Sequence, residues 1–359
     1  MGHDDRDTIL MDRHEPRSHN RWAFSLILWC SLGISGCGLI YDAVQHVTPV
    51  SSDELGAICR RQTVRIGMAA EPFRPFVFPA IWTDEGARVT GLDVELGRAI
   101  IDALSQHCGN PITPNLHLVR FRDLFSLLNE GQLDLFISAV AANVPSPTRA
   151  GFAYSSPYFS GGGISGIARR AEIAERVRAN LRAQATSRPP NGLISNEQAL
   201  TGLTIAVQEW TSTHLYAEAN LRANRLVLCD SLPAAFEAAA TATDPAIDVI
   251  LGAEPVLEFM VTRVQKDWRL LTLDTEKPLF LTRSHYAVVM AEESYRLRWF
   301  VNNVLFKLDE SGKLAEMRRR WLEESYAFPR RAAAEGLPFD VEKMVAHYDQ
   351  GKCRVAPGH

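Results

Sequence analysis

The 359-residue sequence holds no apolar run long enough to cross a bilayer. A helix spanning about 30 Å of hydrocarbon needs roughly 20 apolar residues, and Trp22–Gly33, apolar or small throughout, falls short of that. There is no P-loop and no zinc-ligand spacing, so the signatures of nucleotide triphosphatases and zinc enzymes are missing. No Ser/His/Asp spacing suggests a hydrolytic triad, and the histidines are scattered. No CxxC or Cys/His cluster suggests a metal centre, so no metal and no cofactor are expected. Nor is there a long block of one charge. Lys and Arg total 38 against 42 Asp and Glu, a net charge of −4. Nucleic acid is excluded as a partner, because phosphate binding needs a basic face.

What is present is ordinary globular material, 46% apolar and 22% charged, with length for about two domains. The N-terminus has the shape of an export signal. Arg13, Arg17 and Arg21 precede the short apolar run, and small residues follow it. That order marks a secretory signal rather than a membrane span. The run ends Ile34-Ser35-Gly36-Cys37, which resembles the bacterial lipobox: the peptide is cut before a cysteine that carries lipid. Residues 1–36 are therefore expected to be signal and Cys37 the lipid attachment site. The polar stretch before Arg21 is long, and Met11 is an alternative start. Cleavage leaves Cys59, Cys108, Cys229 and Cys353, an even number in an oxidising compartment. Cys59 precedes the first expected strand and Cys108 follows the first expected helix. A helix antiparallel to its strand brings those ends together, so Cys59–Cys108 is expected. Cys229–Cys353 follows by elimination.

Residues 37–59 read as a tether with little periodicity. Then Val64–Met68 is a β run, and Asp93–Leu104 puts Val94, Leu96, Ile100, Ile101 and Leu104 on one broad helical face. Leu116–Arg120 is a strand, Asp123–Asn129 a helix ended by Gly131, and Leu133–Ala139 a continuous apolar run suited to a covered parallel strand. The alternation restarts after Thr201. Leu203–Val207, Arg225–Leu228 and Ile247–Leu251 are strands; Thr211–Ala223 and Pro233–Ala240 are helices. His285–Met290 is a further strand, followed by helices over Glu293–Asp309 and Lys313–Ser325. The fold class is α/β, two units each with a mostly parallel sheet between helices. Between them lie Gly161–Ala168 and an Arg- and Ala-rich segment, Arg169–Ala185, which reads as an exposed helix.

Several segments together resemble the extracellular solute-binding proteins of family 3, the polar-amino-acid receptors of ABC importers. They are Gly91-Leu92-Asp93-Val94-Glu95-Leu96, Gly131-Gln132-Leu133-Asp134-Leu135, Ser155-Ser156-Pro157-Tyr158-Phe159, Asp248-Val249-Ile250, and Gly312-Lys313-Leu314 followed by Arg320-Trp321. The resemblance covers about 62–325. It implies the two-lobed periplasmic-binding-protein fold of type II. Lobe 1 would be 60–162 plus 286–325 and lobe 2 would be 163–285, with 169–200 as an insert and 326–359 as a C-terminal extension. Gly161–Gly166 and Ser284–Tyr286 become the hinge.

Such a receptor needs aromatic faces, an arginine with helix N–H groups for a carboxylate, and an acid for an ammonium. By family spacing Phe73 and Phe121 are the aromatics, although either could be ordinary core. Trp210 stands where the family has glycine, which would reshape the pocket. Arg149 suits the ligand arginine, a planar fork that grips carboxylates. Thr211-Ser212 opens a helix and matches the family's anion-binding turn; capping alone would also explain it. Ala141 lacks a hydroxyl the family often has there, and Ser138 or Asn143 could replace it. The family's ammonium-binding acid falls on Ala253. Either Glu254 or Glu71 takes over, or the ligand is not an α-amino acid.

The expectation is a non-enzymatic, exported and lipid-anchored monomer. It would face the periplasm or cell surface and deliver a small carboxylate-bearing solute to an ABC permease in the inner membrane. Two alternatives stay open: a sensory or accessory binder for another membrane partner, and a dehydratase on the same fold.

Overall fold

A computed structural model describes residues 53–340 and 352–357, except 72, 143–148, 187–195, 223, 242–245, 274–276 and 325–327. The signal segment, Cys37 and Asn143 lie outside the described residues.

The first half opens with α1 (Glu54–Arg61), β1 (Thr63–Ala69), the hairpin β2 (Phe78–Thr83) and β3 (Gly86–Thr90), and α2 (Leu92–Cys108). It continues through β4 (Thr113–Val119), α3 (Asp123–Asn129), β5 (Leu135–Ala141), β6 (Phe152–Tyr154) and β7 (Phe159–Ala168). The second half holds α4 (Ala171–Thr186), β8 (Thr204–Gln208), α5 (Ser212–Asn220), β9 (Arg225–Cys229), α6 (Leu232–Thr241), β10 (Val249–Ala253), α7 (Glu254–Phe259) and β11 (Arg269–Leu270). The chain then returns on β12 (Thr282–Ala291) to α8 (Tyr295–Glu310), α9 (Lys313–Leu322), α10 (Phe328–Glu335), β13 (Leu337–Pro338) and β14 (Cys353–Val355).

One eleven-stranded sheet runs through the molecule in the order β14-β9-β8-β10-β7-β12-β5-β1-β4. Each half has a parallel centre: β1 pairs with β4 and β5 in one, and β8 with β9 and β10 in the other. The fold is α/β of the two-lobed type II class. Strand β5 is buried at every position, the mark of a strand covered on both faces. In α2, Val94, Leu96, Ile100, Ile101 and Leu104 are all buried, so the periodicity read from the sequence is the buried face.

The halves meet on β7 and β12, which pair antiparallel with a register shift between Arg283 and His285. Gly163 is needed there. A Cβ on it would lie 2.1 Å from the Thr282 carbonyl oxygen, far inside contact distance. Gly161, Gly163 and Gly166 happen to have the spacing of a dinucleotide loop. They lie within β7 rather than at a strand-to-helix turn, so they form no phosphate cradle.

Three expectations need correction. The tether is not featureless to residue 59, because Asp53 caps α1 by accepting from the Gly56 N–H, and Leu55 and Ile58 are buried. Eight residues with two apolar contacts carry too little periodicity to be read. Helix α4 is not merely exposed. Ile173, Ala174, Val177 and Leu181 are buried in the core of the second half with Leu200, Leu203 and Ile205. Each larger side chain among them contributes about 1.5–3 kcal/mol when fully buried, and the surrounding Arg and Glu hid that stripe. The C-terminal extension is also part of the fold. Helix α10 packs on the β2–β3 hairpin, and β13 adds a strand to β3. Strand β14 pairs antiparallel with β9, with Cys353 opposite Cys229. The structure joins Cys59 to Cys108 and Cys229 to Cys353, with Cα separations of 5.2 and 4.1 Å.

Candidate functional site

Strands of both halves end on a shared cleft. Its cavity is lined by Phe73, Phe121, Ala139, Ala141 and Arg149 from the first half, and from the second by residues including Gln208, Thr211–Thr213 and Ala253. Tyr286 on the return strand closes it. The free volume is about 30 Å³, room for one or two waters. In this structure the two halves close around that small volume.

Among the described residues Arg149 is the only charged one in these walls, and it is 7% exposed. Its Nη1 donates to the Ala141 carbonyl at 2.7 Å, and its guanidinium lies 5.5 Å from the Phe125 ring centroid. Burial pulls its pKa below the usual value, against the pull of the neighbouring Tyr154. Opposite it is the first turn of α5. Thr211 is the N-cap: its Oγ1 accepts from the His214 N–H at 3.3 Å and donates to the Gln208 carbonyl at 2.7 Å. Ser212 and Thr213 bring the first-turn backbone to the cavity, where free N–H groups and the helix dipole favour an anion.

Phe73 and Phe121 both line the cavity. Phe73 is held in a tight turn, its carbonyl accepting from the N–H groups of Phe76 and Val77. The Phe121 N–H donates to both oxygens of Glu71, at 3.0 and 3.2 Å. Burial pushes Glu71 up to about 7, and this backbone donor opposes the shift.

Ser138, Trp210 and Glu254 are not brought into the walls. The Ser138 hydroxyl accepts from the Ala69 N–H at 3.2 Å, tying β5 to β1. Trp210 has a left-handed backbone (φ 65°) and its side chain is 52% exposed, so it does not shape the cavity. Glu254 is the first residue of α7, and it is Ala253 that reaches the cavity. Burial, and then the neighbouring Glu258, push the Glu254 carboxyl up to about 7.

Two residues of consequence were not picked from the sequence as cavity residues. Asp93, fully buried, accepts from the Ala139 N–H and from the Tyr158 hydroxyl, each at 2.7 Å. It thereby holds Ala139, a cavity wall with the unusual φ of 46°, in place. Burial pushes this carboxyl up to about 7, against both hydrogen bonds. An acid amid an otherwise apolar helix face was the available signal. The second is Tyr286. It is 2% exposed, stacks on Phe159 at 5.3 Å, and has a buried hydroxyl with no hydrogen-bond partner among the described residues. A buried orphan hydroxyl in a cavity wall is a place for a ligand atom or a water.

The bacterial extracellular solute-binding proteins, family 3, match residues 64–324. The chain belongs to this family. No curated protein matches the sequence of this family 3 solute-binding protein. Solved structures share its fold at low identity. A P235GK mutant of ArgBP from T. maritima is 22% identical over 76% of this chain and 100% of its own, with a TM-score of 0.57. The amino acid ABC transporter substrate-binding protein AbpA from Streptococcus pneumoniae, bound to L-arginine, is 21% identical over 75% and 100%, with a TM-score of 0.57. The ancestral amino acid-binding protein AncCDT-1, a precursor of cyclohexadienyl dehydratase, is 18% identical over 75% and 99%, also at 0.57. The family is one of extracellular binding proteins, and this chain is a solute-binding protein. No helix among the described residues is long and apolar enough to cross a membrane.

Proposed function

We propose that this protein is an exported, lipid-anchored receptor that captures a small carboxylate-bearing solute and delivers it to an ABC importer. The observation that carries the reading is the cavity shared by buried Arg149 and the first turn of α5. A guanidinium on one half and backbone donors on the other grip one anion from both sides, so the anion favours the closed arrangement. Tyr286 offers a third donor.

The missing acid narrows the solute. Among the described residues no Asp or Glu lines the cavity. Glu71 is engaged by the Phe121 N–H, and Glu254 stands outside the walls. An ammonium buried without a partner is costly. The favoured solute is therefore a small carboxylic acid without an α-ammonium group. Among the described residues the walls also carry no carboxylic acid or imidazole to act as general acid, which supports binding over catalysis.

Calorimetry against matched pairs, an amino acid and its 2-oxo or deaminated acid, tests both parts. Binding of neither partner of any pair would overturn the receptor reading. Tighter binding of the amino acids would overturn only the solute class. Mass spectrometry of the membrane-extracted protein tests the anchor: the expected product begins at a diacylated Cys37. An unmodified Cys37, or an uncut N-terminus, would refute it. Loss of solute uptake on deletion of an ABC permease encoded by the same cell is the expected result for the importer, and uptake that survives deletion of every candidate permease would refute it.

A further inference from the structure

A second cavity of about 420 Å³ opens beside the cleft. The two share Leu232 as a wall, and the consecutive residues Phe73 and Arg74 line one each. The second is within the range of ligand pockets, roughly 300–1,000 Å³. Its apolar wall is the edge-to-face pair Phe236 and Trp268, centroids 5.1 Å apart.

Its charges are not all spent. Arg169 and Asp267 neutralise each other at 2.9 Å. Arg74 has no carboxylate partner among the described residues. Its guanidinium carbon lies 5.7 Å from the Phe78 ring centroid, and its buried Nε has no hydrogen-bond acceptor. Glu237, in the same walls, has no ion-pair partner among the described residues. One free cation, one free anion and an aromatic face thus border one chamber large enough for a small molecule.

We propose that this chamber is a second binding site, for a zwitterion with an apolar or aromatic side chain. The carboxylate meets Arg74, the ammonium meets Glu237, and the side chain packs on Phe236 and Trp268. Arg74 precedes β2 in the first half; the other three belong to the second. An occupant therefore touches both halves and favours their closure. By linkage it also strengthens whatever binds the closed cleft. The cleft selects on a carboxylate alone, whereas the chamber selects on both charges together.

The test uses the full mature chain and three probes: L-tryptophan, indole-3-propionate without the ammonium, and tryptamine without the carboxylate. Calorimetry is expected to show L-tryptophan binding at least about tenfold more tightly than either analogue. Arg74→Gln and Glu237→Gln, at half-buried and exposed positions, are each expected to weaken it by a similar factor. Binding that is lost in Arg149→Gln and kept in Arg74→Gln would place tryptophan in the cleft and overturn the proposal. So would equal affinity for all three probes, or no binding. Crystals grown with 5-bromo-L-tryptophan give a reading independent of any variant's folding. Anomalous density for bromine beside Trp268 supports the chamber; bromine in the cleft, or nowhere, overturns it.

Discussion

Replacing Asp93 with alanine is expected to cost about 2–6 kcal/mol. Asp93 accepts from the Ala139 N–H and from the Tyr158 hydroxyl, both deeply buried. Each donor left without a partner in a dry interior costs about 1–3 kcal/mol, and the two together give that range. Against a typical total of about 5–15 kcal/mol, this is a large fraction. Asp93→Asn behaves differently. The amide oxygen still accepts from Ala139, and the tyrosine oxygen can accept from the amide N–H₂. That variant is expected to lose less than about 1.5 kcal/mol. It also removes a titration. Burial holds the native carboxyl at about 7 against an ordinary 3.8, so the folded chain keeps a proton the unfolded chain releases. The stability this contributes is whole below about pH 4 and is lost as pH rises through about 7. Urea unfolding at about pH 5 and about pH 8 should therefore show native stability falling toward alkaline pH, and a shallower fall in Asp93→Asn. Alanine within about 1 kcal/mol of native, or asparagine as damaging as alanine, would refute the argument.

Arg149→Ala is expected to weaken the cleft ligand by about 2–5 kcal/mol, roughly thirtyfold or more, as for other truncations of a buried charge partner; calorimetry reads this directly. Gly163→Ala forces a Cβ to within 2.1 Å of the Thr282 oxygen. It should destabilise the chain by about 1–3 kcal/mol in urea titrations, and an unchanged midpoint would show the hinge strands free to separate. Cys353→Ser releases β14 from β9 and should lower stability by about 2–4 kcal/mol, visible as a lower melting temperature under non-reducing conditions. Glu71→Gln, like Asp93→Asn, should flatten the fall in stability between about pH 4 and pH 7, because burial holds that carboxyl too at about 7.

The elements that read clearly in the sequence are those whose pattern is local. The apolar run at Leu133–Ala139 and the periodic face of Asp93–Leu104 announce a covered strand and its helix. Phe73, Phe121, Arg149, Thr211 and Ser212, read from motif spacing, line one cavity. What the sequence hid depends on distant partners. Strands β13 and β14 are two and three residues long, and they exist only because β3 and β9 offer edges. Whether Trp210 faces cavity or solvent is set by a backbone turn that its residue type does not encode. Tyr286 reads in the sequence as the end of a hinge segment, and only the pairing of β12 with β7 shows its ring at the cleft. Glu254 differs from Ala253 by one position, and helix α7 begins between them.

Strand β14 has a consequence for how copies of the molecule meet. An open edge strand is a template on which another chain can build. Without β14 the large sheet would end on β9, whose inner residues are apolar. The chain's own tail occupies that border and is bolted to it at Cys229. What faces outward is a strand of three residues with Arg354 at its centre, too short and too charged to recruit a partner. Protection of the β9 edge thus resides in residues 353–355, far along the chain from the strand they cover.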